Sequence, residues 1–96
     1  MSKKMIDSFV QDLLAKLDET GIQYRKIKGS DIYVVGDTTL TFIRAIGFNA
    51  IYINSTRFNI KHKFDRVLCY EILKNGFSIV DDDGNNFEIK FDKEVE

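Results

Sequence analysis

Residues 5–28 read MIDSFVQDLLAKLDETGIQYRKIK, and the fold class turns on a change of rhythm inside this stretch. Up to Leu17 the apolar residues Met5, Ile6, Phe9, Val10, Leu13, Leu14 and Leu17 recur at spacings of one and three. That places them on one side of a 3.6-residue helix, with Lys4, Asp7, Asp12, Lys16 and Asp18 pointing elsewhere. Ser2 offers an N-cap hydroxyl and Gly21 a left-handed stop, so a helix is expected from about residue 3 to about residue 20. From Ile22 the pattern becomes short runs of β-branched and aromatic residues separated by Gly, Asn, Asp and Ser, which is strand rhythm. The helix stripe therefore needs a sheet to lie on.

Working outward, residues 22–28 form a first expected strand, and Lys28-Gly29-Ser30-Asp31 a hairpin turn into residues 32–35. Gly36-Asp37 is the next turn. Residues 39–46 alternate Leu40, Phe42, Arg44 and Ile46 against Thr41, Ile43 and Ala45. Gly47 to Asn49 separates that strand from another at residues 50–54, with Ile51 and Ile53 on one face; both runs read as buried rather than edge strands. Phe58 and Ile60 extend the sheet. Phe64, Val67, Leu68 and Ile72 then return to helical spacing and end at Lys74-Asn75-Gly76, which predicts a second helix over residues 62–75. Residues 77–81 and 86–91 alternate around Asp82-Asp83-Gly84-Asn85, the strongest hairpin signal in the chain, with Phe77, Ile79, Phe87, Ile89 and Phe91 on its inner face.

The expected order is α-β-β-β-β-(β)-α-β-β. It describes an α+β domain with an antiparallel sheet of about five to seven strands, built of hairpins and packed by two helices. Ninety-six residues leave room for one domain, residues 1–96, with residues 93–96 expected to fray. The start carries no apolar run of signal-peptide length, and no segment has the roughly 18 to 20 apolar residues of a membrane span. With a single cysteine, Cys69, no internal disulfide is available, and a cytoplasmic location is expected.

Fifteen acids against fourteen bases give a net charge of −1, but the charge is unevenly placed. Residues 81–96 sum to −5 and residues 1–80 to +4. His62 and Cys69, the only residues of their types, stand two helical turns apart on the expected second helix, about 10.5 Å, too far to form a nucleophile–base pair. Cys69 beside Leu68 and Ile72 reads as core. The run Asp81-Asp82-Asp83-Gly84-Asn85-Asn86 alternates oxygen ligands like a calcium loop. It lacks the glycine and the glutamate that loop requires, so it reads as a turn. The six glycines stand singly, so no phosphate-cradling loop is present. No catalytic residue, metal site or cofactor is assigned.

In composition, rich in Lys, Ile, Asn, Asp and Phe and lacking Pro and Trp, the chain resembles small proteins of AT-rich bacterial genomes and their phages. Such proteins often act by occluding a host macromolecule. The reading is thus a non-enzymatic accessory or inhibitory protein that covers a surface on a host protein. Its expected contact residues are Tyr33, Tyr52, Arg57 and Tyr70 with the acids Asp81, Asp82 and Asp83, since aromatics and arginine anchor interfaces. The alternative is an RNA or single-stranded DNA binding module using Arg25, Lys26, Lys28, Arg57, Lys61, Lys63 and Arg66, with a tyrosine as stacking platform. A third reading is a homo-oligomeric structural domain, such as a homodimer joined through a free strand edge.

Overall fold

The computed structural model describes residues 2–45 and 48–91. Helix α1 (Lys3–Thr20) opens on Ser2, whose Oγ accepts the Met5 N–H at 3.1 Å. It closes at Gly21, which takes φ 74°, a left-handed conformation cheap only for a residue without Cβ. The N–H groups of Gly21 and Ile22 then donate back to the carbonyls of Asp18 and Leu17 at 3.3 and 3.0 Å. This closure folds Ile22 inward beside Leu17, and both are buried. The stripe that α1 buries is Ile6, Phe9, Leu13 and Leu17.

Eight strands follow among the described residues: β1 (Arg25–Lys26), β2 (Ile32–Val35), β3 (Thr38–Ala45), β4 (Phe48–Ser55), β5 (Ile60–Phe64), β6 (Val67–Leu73), β7 (Gly76–Asp81) and β8 (Asn86–Lys90). They pair in chain order into two antiparallel sheets, β1-β2-β3-β4-β5 and β6-β7-β8. The α+β class and the hairpin architecture hold. The single sheet does not, and neither does the second helix.

The second helix is replaced by β6 and its turn into β7. Val67 pairs with Asp81 and Cys69 with Val80, so Leu68 is an extra residue in a β-bulge. The bulge makes the inward residues Val67, Tyr70 and Ile72, so the helical spacing of Phe64, Val67, Leu68 and Ile72 comes from the end of one strand, Phe64, followed by a bulged one. Leu68, counted as core by the helical reading, is 63% exposed, and Cys69 is exposed as well. Asn75-Gly76, read as a helix stop, belongs to a tight turn between Leu73 and Gly76.

Other boundaries shift by less. Of the strand expected at residues 22–28 only Arg25 and Lys26 pair, because Ile22 is drawn into the helix cap. The strand expected at residues 50–54 runs from Phe48 to Ser55, and Phe58 lies in the turn before β5 rather than in a strand. Ile46, Gly47 and the tail expected to fray, residues 93–96, lie outside the described residues.

The core lies between α1 and the inner faces of both sheets. Leu40, Phe42, Ile51, Ile53 and Phe64 come from the first sheet and Phe77, Ile79 and Ile89 from the second. Phe9 joins them: its ring stands 6.0 Å from Phe42, 5.0 Å from Phe77 and 5.2 Å from Tyr70. Along another seam the Phe87 ring of β8 meets Phe64 of β5 edge-on at 4.7 Å and stacks on His62 at 5.4 Å. The helix is fastened at its edges by polar contacts. Tyr70 donates its hydroxyl to Asp12 Oδ2 at 2.9 Å and lies 2.6 Å from Ser8 Oγ, while Arg44 binds Asp7 at 3.0 Å and Asp31 at 2.8 Å.

Two substitutions separate the strand reading of β6 from a helix. Leu68→Ser is expected to change stability by no more than about 0.5 kcal/mol, as at an ordinary surface position, whereas Phe9→Ala should cost about 3–5 kcal/mol. Urea unfolding monitored by circular dichroism measures both, and a multi-kcal/mol loss in the Leu68 variant would restore the helical packing. Gly76→Ala is a second check, because an added Cβ would fall on the Ile89 carbonyl oxygen and lie 2.9 Å from Lys90 Cα. The expected cost is about 2–3 kcal/mol, read as a lowered urea midpoint at unchanged slope.

Candidate functional site

In an antiparallel sheet, residues paired across strands point to the same side. The pairing Arg25–Val34–Thr39–Asn54–Lys61 is therefore one row on the face of the first sheet turned away from α1. The next row is Ile32–Thr41–Tyr52–Lys63, followed by Ile43 and Ala50. Arg25, Lys61 and Lys63 are exposed, and Val34, Thr39, Asn54, Ile32, Thr41, Tyr52 and Ile43 are half-buried. The helix lies on the opposite side, against Phe42 and beside Arg44. The strands contribute no acid to this face, although Asp37 and Asp65 stand in the flanking turns.

The sequence candidates are thus sorted. Of the seven basic residues, Arg25, Lys61 and Lys63 come together on the open face. Lys26 pairs with Tyr33 and falls on the other side, Lys28 is in the β1–β2 turn, and Arg66 is in the β5–β6 turn, where its carbonyl accepts the Asp82 N–H. Arg57 lies in the β4–β5 turn with its guanidinium 5.3 Å from the Phe58 ring. The residues expected to contact a protein partner do not converge. Tyr33 faces the core side, 5.8 Å from Phe42 and 6.4 Å from Tyr24, and Tyr70 is engaged by the helix.

Burial first of all, and then the Asp12 carboxylate, push the Tyr70 phenol above its ordinary pKa despite the opposing Ser8 contact. It stays protonated and donates to Asp12, leaving the Ser8 hydroxyl to donate to the phenol oxygen. Only Tyr52 of the four tyrosines has no ring neighbour or hydroxyl bond among the described residues, and it sits mid-face between Thr41 and Lys63.

Asp81 shapes its own turn. Its Oδ1 accepts the N–H groups of Asp83 and Asn85 at 3.0 and 2.9 Å, and its Oδ2 accepts the Asn85 amide at 3.1 Å. Asp82 and Asp83 are exposed in the same turn, which closes through Gly84 at φ 84°. His62 and Cys69 lie on separate strands of separate sheets, not two turns apart on one helix. Among the described residues no three His, Cys, Asp or Glu side chains gather where they could hold a metal ion. No described helix is long and apolar enough to cross a membrane.

No family model, curated protein or solved structure matches the chain. The open face stands on its own geometry. What alternation alone did not reveal was that Thr39, Thr41 and Asn54 stand in the same rows as Arg25, Lys61 and Lys63; the polar positions of β3 hinted at an outer face without naming its neighbours.

The Asp81 carboxyl supplies a pH test. Desolvation pushes its pKa up, but the hydrogen bonds from Asn85 and Asp83 and the charge of His62 outweigh that and hold it below the ordinary value. A depressed folded-state pKa contributes stability that is present above the unfolded value, about 3.9, and is lost as pH falls through the folded value. Asp81→Asn is expected to lower the urea midpoint at pH 7 and to flatten its decline below about pH 4. Superimposable pH profiles for variant and wild type would show that the carboxylate plays no such part.

Proposed function

We propose that this chain is a non-enzymatic binding module whose working surface is the open face of the five-stranded sheet and whose ligand is a nucleic acid held by its phosphates. The observation that carries the reading is the register. It brings Arg25 from one edge strand and Lys61 and Lys63 from the other onto a single face to which the strands themselves contribute no acid, although Arg25 lies far from the two lysines in the chain. Lysine and arginine on a rigid scaffold neutralise phosphates and release counterions, and the hydroxyls of Thr39 and Thr41 and the Asn54 amide add hydrogen bonds to the backbone. A net charge of −1 does not oppose this, because local potential rather than the total steers a polyanion.

Occlusion of a host protein is the less supported reading, since its contact residues are divided among the core side, the helix seam, the open face, the β4–β5 turn and an acidic turn. Edge-to-edge self-assembly is also less favoured. β1 is two residues long, β5 carries the exposed run Lys61-His62-Lys63, and β6 carries a bulge, all devices that discourage strand pairing.

Three phosphate contacts on a single strand give a salt slope of about −2, so affinity for a labelled oligonucleotide should fall roughly 20-fold between 50 and 200 mM salt. Lys61→Glu should weaken binding about tenfold, equally for different base sequences, and make the slope shallower. Fluorescence anisotropy reads both. An absence of oligonucleotide binding at 50 mM salt disposes of the reading, and capture of one stoichiometric protein in its place returns it to occlusion.

A further inference from the structure

We infer that the strand bound on this face is single, lies across the β-strands from β1 to β5, and stacks one base on Tyr52. The inference rests on the nucleic-acid reading above and adds the form of the ligand, its path and its recognition element.

The width of the sheet decides between duplex and single strand. Neighbouring strands are about 4.8 Å apart, so Arg25 on β1 and Lys61 on β5 are separated by four steps, about 19 Å. A duplex major groove is about 12 Å wide and admits a helix or a two-stranded ribbon, not a five-stranded sheet. Against a duplex this face could reach only the outer phosphates, leaving Tyr52 without a partner. A single strand can lie flat, place phosphates beside the cations of both edge strands, and turn a base down between them.

Tyr52 is where that base would land. The other three tyrosines are committed within the fold: Tyr24 and Tyr33 to each other, Tyr33 also to Phe42, and Tyr70 to Phe9, Ser8 and Asp12. Tyr52, half-buried on the outer side of a central strand, has no ring neighbour among the described residues. Lys63 is its direct cross-strand partner on one side and Thr41 on the other. A base on the ring thus has a cation one strand away for its phosphate and a hydroxyl one strand away for its sugar or base edge. Stacking on an aromatic ring tolerates any base, and the face predicts little sequence preference. A path of about 19 Å accommodates roughly four nucleotides, the lower end of the site sizes of small single-strand-binding folds.

The test uses the full chain and fluorescein-labelled oligo-dT and oligo-rU of increasing length, a duplex of matched length, and poly-glutamate as a polyanion without bases. Affinity should rise with length up to about four nucleotides and then grow only by the number of registers available. The duplex and poly-glutamate should each bind at least tenfold more weakly than the single strand. Tyr52→Leu should lose about tenfold in affinity with an unchanged salt slope, within the range set by the loss of one stacked base, while Tyr52→Phe keeps the wild-type value. Circular dichroism confirms that both variants are folded. If duplex or poly-glutamate binds as well as the single strand, or if Tyr52→Leu binds like wild type while Lys61→Glu still loses affinity, the inference falls and a phosphate-binding face remains in the first case of duplex binding and in the last. If no polynucleotide binds to the wild type, the proposed function falls and takes this inference with it.

Discussion

The structure depends on one ring. Phe9, fully buried on α1, touches Phe42 of the five-stranded sheet and both Phe77 and Tyr70 of the three-stranded one. No hydrogen-bonded strand pair joins the two sheets among the described residues, so side-chain packing must hold them together. The helix stripe is the shared floor on which both inner faces rest, and the Phe87 contacts with Phe64 and His62 close the second seam. A buried aromatic at such a junction contributes through area and through edge-to-face geometry together.

That arrangement has a consequence for the surface. One described helix serves two sheets, so it can cover one side of each and no more. The five-stranded sheet keeps an outer face of threonine, asparagine, tyrosine and β-branched residues, bordered by cations at both edges. The outer side of the three-stranded sheet carries Glu71 and Glu88 with Lys90, and its β7–β8 turn carries Asp82 and Asp83. Among the described residues the charged, exposed strand positions of the first sheet thus carry cations, and those of the second carry mostly acids.

Much of the fold was legible because its signals are local. Ser2 and Gly21 bound the helix as read, the Leu40/Phe42 alternation belongs to an inner face, and Asp82-Asp83-Gly84-Asn85 is the turn its residues announce. The failure at residues 62–75 has a definite cause. A bulge at Leu68 breaks the two-residue period, and the apolar Leu68 it turns outward completes with Phe64, Val67 and Ile72 a spacing that reads as helical. The richer signal there was chemical, in Val67, Tyr70 and Ile72, residue types that favour a pleated surface. Among the site candidates, exposure of the basic residues was legible, but their grouping was not. Arg25 and Lys61 share a row only through three intervening strands, each of whose registers had to be right.

By itself the sequence determined the α+β class, the helix and its two caps, the turns at residues 28–31, 36–37 and 82–85, and the inward residues of β3, β4, β7 and β8. These follow from periodicity, backbone conformational preference and side-chain–backbone hydrogen bonds, all of which act within a few residues. Tertiary structure alone decided that the strands divide into two sheets, that α1 packs under both, that Leu68 and Cys69 point outward, and that Tyr52 is the tyrosine with no ring neighbour among the described residues. The physical reason is that alternation says only that a strand has two faces. Which face is buried, and which residues of distant strands stand side by side on the other, is settled by where α1 finds room to bury its stripe.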